Sequence, residues 1–401
     1  MLGTARHALG RLMLPLAERL ASDSWANLPR PSETRLVVRA AGAAADRVLL
    51  AGNSLAVGWG VASHNLGLAG ALARATAAAT GRGVDVDVHA LPNKTIRMVE
   101  KFLTPETIRR YDAVVLVLGT REAFQMVPVE SWRRGMTRLL DHIVRLASPS
   151  PPVVVVAADE ITPVPVGAGA GRRAIAAVRA LNAATRALVA GREGAVFAES
   201  AIVSESGTGQ EFFEADKPWL YERAASAIAP ALAGVLGRGG ANNDPLDERA
   251  RERAIARVRE RLAADDTELT KLVALAKDLF GAAEAALLLV ESDDIQPIVA
   301  DDSLVRVERS QSFSAGAILQ RHGLVVPNLL ADERYRDRPD VVGPPYFRAY
   351  AGHHVESPDG QPVAVLGMVF THERELSAAD LALLRALAHR AGEVLFRPQG
   401  G

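Results

Sequence analysis

The chain has 401 residues, 49% hydrophobic and 23% charged, with 46 basic against 47 acidic side chains for a formal charge of -1. At roughly 100–200 residues per domain this length predicts two or three domains, and the even balance of charge excludes a field that gathers nucleic acid or an anionic membrane. Zero cysteines exclude disulfides, thiolate zinc sites, iron–sulfur ligation and thiol nucleophiles, so any nucleophile is an oxygen or an amine.

Only Lys94, Lys101, Lys217, Lys271 and Lys277 are lysines among the basic residues, which with abundant alanine reads as high-GC codon usage and makes each lysine worth inspecting. Residues 143–321 contain no histidine. The longest apolar runs, such as Ala113–Leu118 and Val153–Ala158, are strand-length, far below the ~20 residues of a membrane helix. Leu12–Ala17, between Arg11 and Glu18, is too short for a signal peptide. The expectation is a cytoplasmic protein with no membrane and no nucleic-acid partner.

Residues 1–45 read as a helical extension. A domain over 46–236 follows, with strands expected at Val48–Ala51, Val84–Ala90, Ala113–Leu118, Val153–Ala157 and Ala195–Ala198. Several are continuous β-branched runs, as in strands buried on both faces of a parallel sheet. Helical patterns lie between them at Leu66–Thr80, Thr107–Tyr111, Trp132–Ala147 and Ala174–Ala190. The alternation implies a doubly wound α/β domain. Turn residues crowd Gly237–Pro245, so 237–263 reads as a linker and connecting helix. Ile255, Val258 and Leu262 form an apolar stripe on that helix, which either packs on its own domain or makes a dimerising signalling helix. Residues 264–396 read as an α+β domain with an antiparallel meander between helices, followed by a tail over 397–401.

The turn after the first strand reads Leu49-Leu50-Ala51-Gly52-Asn53-Ser54. A serine where a buried strand breaks into a helix can be a nucleophile facing backbone N–H groups, or a helix cap. Gly52-Asn53-Ser54, then Val57-Gly58-Trp59-Gly60-Val61, Val115-Leu116-Val117-Leu118-Gly119-Thr120-Arg121-Glu122 and Trp132 resemble the SGNH/GDSL hydrolase family in order and spacing. That resemblance implies Ser54 as the nucleophile. It also places Asn53 at the family's Asp, Asn93 at an oxyanion Gly, and Arg121 at an oxyanion Asn beside the retained Gly119 and Thr120. Glu214 falls at the position of the orienting Asp and Lys217 at that of the base His. Lysine is ammonium at neutral pH unless its surroundings depress it. With Ser54, Asn93, Gly119, Arg121 and Lys217 together, the pocket reads either as a cationic site for a small anion or as a decayed site in which Glu214 and Glu122 neutralise the cations.

Farther on, Phe313-Ser314-Ala315-Gly316-Ala317-Ile318-Leu319, Leu324-Val325-Val326-Pro327-Asn328, Ala331-Asp332-Glu333-Arg334-Tyr335, Phe347-Arg348-Ala349-Tyr350-Ala351-Gly352 and Ser357-Pro358-Asp359-Gly360 resemble the GAF sensory-domain family. The resemblance implies a pocket walled by Phe313, Tyr346, Phe347 and Tyr350, taking a small molecule, or a module that dimerises without one. The missing cysteines exclude a thioether-linked bilin, and His353-His354 read as packing rather than ligation, so no cofactor and no metal site are expected. The resulting expectation is a non-catalytic or weakly active sensory or regulatory protein. The alternative is a serine esterase using Ser54 with Lys217 as base and Glu214 beside it, regulated by the GAF-like domain. A homodimer through the connecting helix or the GAF-like domain is compatible with either.

Overall fold

The computed structural model describes residues 28–32, 37–161, 168–202, 218–237, 248–261, 267–300, 307–309 and 312–397. The chain divides into two compact units with a boundary near Asn242.

In the N-terminal unit, β2 (Ala45–Gly52), β3 (Gly83–Ala90), β4 (Ala113–Val117), β5 (Val153–Val156) and β6 (Ala195–Ala198) run parallel in the spatial order β3-β2-β4-β5-β6. Residues 37–40, inside the expected helical extension, instead form a strand, β1 (Val37–Ala40), antiparallel to β3. Val38 and Ala40 are buried and Arg39 is exposed, a period of two that only an extended chain produces. The rest of that extension lies largely outside the described residues.

Helices follow as α1 (Leu68–Thr80), α2 (Ile96–Phe102), α3 (Pro105–Ile108), α4 (Thr120–Phe124), α5 (Val129–Leu146), α6 (Ala168–Ala190) and α7 (Pro218–Leu236). Successive strand residues feed opposite layers. Val48, Leu50, Val115 and Val117 pack with α1 and α7, whereas Leu49, Ala51, Val114 and Leu116 pack with α5 and α6. Burial on both faces explains the unbroken apolar runs.

From β2 the chain crosses to β3 on one side and then returns to β4 on the other. The reversal opens a crevice at the carboxyl ends of β2 and β4, the place where open α/β sheets bind ligands. Gly52 makes the close approach there: its φ is +144° and a Cβ would lie 1.9 Å from the Val117 carbonyl oxygen. Asn53 N–H then donates to that same oxygen at 2.8 Å.

The C-terminal unit is an antiparallel sheet of β7 (Glu284–Val290), β8 (Asp294–Val299), β9 (Val307–Glu308), β10 (Leu324–Val326), β11 (Ala349–Glu356) and β12 (Pro362–Phe370), in the order β10-β11-β12-β7-β8-β9. One face packs on α8 (Glu248–Arg261), α9 (Thr267–Phe280) and α12 (Ala378–Leu395). The other carries α10 (Phe313–Leu319) and α11 (Pro339–Val342). The apolar stripe of the connecting helix α8 is used within this unit, because Ile255 and Val258 are buried in its core; Leu262 lies outside the described residues. The fully buried Arg251 anchors the helix by donating to the carbonyls of Val290 at 2.6 Å and Pro362 at 3.2 Å. Among the described residues no helix is long and apolar enough to cross a membrane.

Gly52→Ala forces a methyl into the Val117 carbonyl, so the variant is expected to lose about 2–4 kcal/mol of stability in the N-terminal unit. The described tryptophans, Trp59, Trp132 and Trp219, belong to that unit. A urea titration followed by tryptophan fluorescence reads the loss directly.

Candidate functional site

Ser54 lies two residues past the end of β2 and opens a short 3-10 turn, Ser54–Val57. Its φ is +55°, a left-handed conformation rare for a residue with a side chain. The hydroxyl donates to Asp159 Oδ2 at 2.9 Å. Asp159 lies just past β5, its N–H donates to the Thr120 hydroxyl at 3.0 Å, and it is 1% exposed. Burial pushes its carboxyl up to about 6, against the hydrogen bonds of the Ser54 and Ser200 hydroxyls, which favour the charged form. The other oxygen, Oδ1, is buried without a hydrogen-bond partner.

A second carboxyl lies beside the turn. Glu122 Oε2 accepts the Gly119 N–H at 2.9 Å, and the Asn53 amide reaches both Glu122 oxygens at 3.4 Å. Asn53 Nδ2 also donates to the Lys94 carbonyl at 2.8 Å. Burial raises the Glu122 carboxyl above its ordinary range, opposed by the Gly119 N–H, the Asn53 amide and the charge of Arg121. Gly119 has no room for a side chain: its φ is +121° and a Cβ would lie 2.9 Å from Ala158 Cβ.

Of the residues singled out in the sequence, Ser54 and Gly119 therefore lie past the carboxyl ends of the neighbouring strands β2 and β4. Arg121 is half-buried on α4. Asn93 is exposed in the turn after β3, while its neighbour Lys94 is the buried one, with Nζ 2.6 Å from His89 Nε2 and its ammonium disfavoured by burial. Glu214 and Lys217 lie outside the described residues. The contact that sequence reasoning missed is Asp159, 105 residues from Ser54. Its signal was positional: an acidic residue directly after the apolar run Val153–Ala158, at the same strand edge as Ser54.

In the C-terminal unit a cavity of about 380 Å³ is lined by Phe313, Phe347 and Tyr350 together with Val273, Leu288 and Gly367. Phe313 stacks on Tyr350 with ring centroids 5.1 Å apart. Ser314 Oγ and the Tyr350 hydroxyl are 3.4 Å apart, and burial pushes the phenol well above its usual range. Tyr346, expected in this wall, is not part of it: at φ +62° it turns outward and is half-exposed. His353 and His354 are buried on β11. His353 Nδ1 is 2.9 Å from the His354 carbonyl, and His354 Nε2 is 2.9 Å from Glu356 Oε1. Burial first, and then the neighbouring His354, lower His353 to about 3, so it is neutral at physiological pH. Among the described residues no group of three or more His, Asp or Glu is placed to hold a metal ion.

The family model of the GDSL-like lipase/acylhydrolases matches residues 50–225, and that of the GAF domain matches residues 266–395. The chain is similar to the lipase/acylhydrolase from Enterococcus faecalis at 16% identity, over 47% of this chain and 96% of that one, with a TM-score of 0.36. It is similar to the GAF domain from an Acinetobacter phosphoenolpyruvate-protein phosphotransferase at 13% identity, over 36% and 92% of the two chains, with a TM-score of 0.28. A third similarity is to the GAF domain of a two-component sensor histidine kinase from Bacillus halodurans, at 16% identity over 33% and 95%, with a TM-score of 0.26. No curated protein matches the chain.

The raised Asp159 carboxyl makes the N-terminal unit's stability depend on pH. Between its ordinary value of 3.8 and about 6, the folded state holds a proton that the unfolded chain has released. Stability therefore falls as pH rises through this window, by about 3 kcal/mol in all, and levels off above it. Asp159→Asn is expected to flatten that slope and to leave the unit more stable than the unsubstituted protein at neutral pH, as read by urea midpoints from tryptophan fluorescence across the window.

Proposed function

Because the chain carries a GDSL-like lipase/acylhydrolase domain over residues 50–225 and a GAF domain over residues 266–395, we propose that it is a sensory or regulatory protein. In this reading the GAF cavity takes a small molecule, and the GDSL-like domain is non-catalytic or weakly active. The supporting observation is that the donors around Ser54 are already engaged. The Gly119 N–H is given to Glu122 and the Asn53 amide to the Lys94 carbonyl.

Acyl transfer needs the opposite arrangement. A tetrahedral oxyanion is stabilised by donors aimed at the charge as it develops, and loss of one such donor costs about 10²–10³ in rate. Here two buried carboxyls, Asp159 and Glu122, flank the turn, and their ionised forms raise the cost of a third negative charge. Asp159 has the acidity of a usable base, since a proton acceptor with a pKa near 6 is ionised at neutral pH. The oxyanion, rather than the proton transfer, then limits turnover. The GAF side of the reading rests on a cavity within the size range of small-molecule sites and an aromatic wall on its inner face.

A fluorophosphonate probe with intact-mass detection tests the hydrolase side. The full chain is expected to remain unlabelled on the timescale that labels active serine hydrolases, and an adduct abolished by Ser54→Ala contradicts the reading. Any residual hydrolysis of p-nitrophenyl acetate is expected to increase as pH rises through about 6, where Asp159 becomes a base. Lys217→His combined with Arg121→Asn is expected to increase that rate by at least about tenfold, by returning an imidazole base and an amide donor.

A further inference from the structure

Charge in the wall of the GAF cavity is divided between satisfied and unsatisfied groups. Arg338 and Asp340 satisfy each other, with Nε to Oδ1 at 3.0 Å and Nη2 to Oδ2 at 2.7 Å, and the guanidinium lies 4.2 Å above the Phe313 ring. Lys277 and Glu284 line the same cavity. Among the described residues, neither of their side chains has an ion-pair or hydrogen-bond partner.

A short turn separates these two in the chain. Lys277 is in the last turn of α9 and Glu284 is the first residue of β7. Between them Gly281 takes φ +60°, and the Ala282 N–H returns to the Lys277 carbonyl at 3.0 Å. One cation and one anion are thus placed on the wall of a cavity whose remaining surface is mainly apolar and aromatic. A ligand with one charge satisfies one of them and is repelled by the other. A ligand with both charges gains a charge-assisted hydrogen bond at each.

We propose that the GAF cavity takes a zwitterion of the α-amino acid class with an apolar or aromatic side chain. Its carboxylate meets Lys277, its ammonium meets Glu284, and its side chain lies against Phe313, Phe347 and Tyr350. The proposal rests on the reading that this cavity binds a small molecule, and it adds the chemical class. It also assigns Lys277, one of only five lysines in the chain, a role in recognition.

Isothermal titration calorimetry on the full chain tests it, with L-phenylalanine, L-leucine, phenethylamine, which lacks the carboxylate, and 3-phenylpropionate, which lacks the ammonium. The expected result is binding of at least one amino acid, with both singly charged analogues at least about tenfold weaker. Lys277→Gln should bring the amino acid down to the affinity of phenethylamine, and Glu284→Gln should bring it down to that of 3-phenylpropionate. The proposal is overturned if neither amino acid binds, if a singly charged analogue binds as tightly, or if both substitutions leave the affinity unchanged. Gly367→Leu, which projects a side chain from β12 into the cavity, separates the two levels of failure. If a panel of metabolites of other classes yields a binder that Gly367→Leu removes, only the zwitterion is refuted. If no compound shows binding that Gly367→Leu removes, the small-molecule reading falls with it.

Discussion

The Ser54 hydroxyl has one proton to donate, and the turn after β2 delivers it to Asp159, a buried carboxyl with no ion-pair partner among the described residues. Much of the N-terminal site follows from this. A carboxylate in such a place is stabilised by hydrogen bonds alone, so burial increases its affinity for a proton, and its second oxygen remains unpartnered. Glu122 repeats the pattern a few residues past β4, where it accepts the Gly119 N–H. The turn after β2 thus places Ser54 among acceptors.

The same sheet topology that creates the crevice explains why these groups meet. β2 and β4 are neighbours although the chain visits β3 between them, and β5 lies against β4. Ser54, Gly119 and Asp159 leave the carboxyl ends of three adjacent strands and converge without needing to be near one another in sequence. Gly52 sets the spacing, since its missing side chain lets β2 approach the Val117 carbonyl. In the C-terminal unit, glycine has a comparable part in shaping a cavity. A Cβ on Gly367 would come 3.2 Å from the Tyr350 hydroxyl, so its absence leaves space beside the aromatic wall.

The buried strands were legible in the sequence because burial on both faces leaves no polar position to interrupt the apolar run: β4 and β5 were found within one residue of their ends. β1 was not, because four residues interrupted by Arg39 carry too little periodicity to separate a strand from an extension. Ser54 was legible from its local motif, as were Phe313, Phe347 and Tyr350. Asp159 was not, because its role comes from the β4–β5 pairing and not from any local spacing. Lys277 and Glu284 escaped for a related reason, each sitting at the end of an element where a charged residue ordinarily reads as solvated surface.

The central claim, that Ser54 is bound to a buried carboxyl of raised proton affinity, is tested most directly by difference infrared spectroscopy over a pH titration, with Asp159→Asn as the reference. The account predicts a carboxyl stretch that titrates near 6 in the unsubstituted protein, and at higher pH in Ser54→Ala, where the hydroxyl that stabilises the carboxylate is gone. A carboxyl that titrates near its ordinary value of 3.8, or one that Ser54→Ala leaves unmoved, contradicts it.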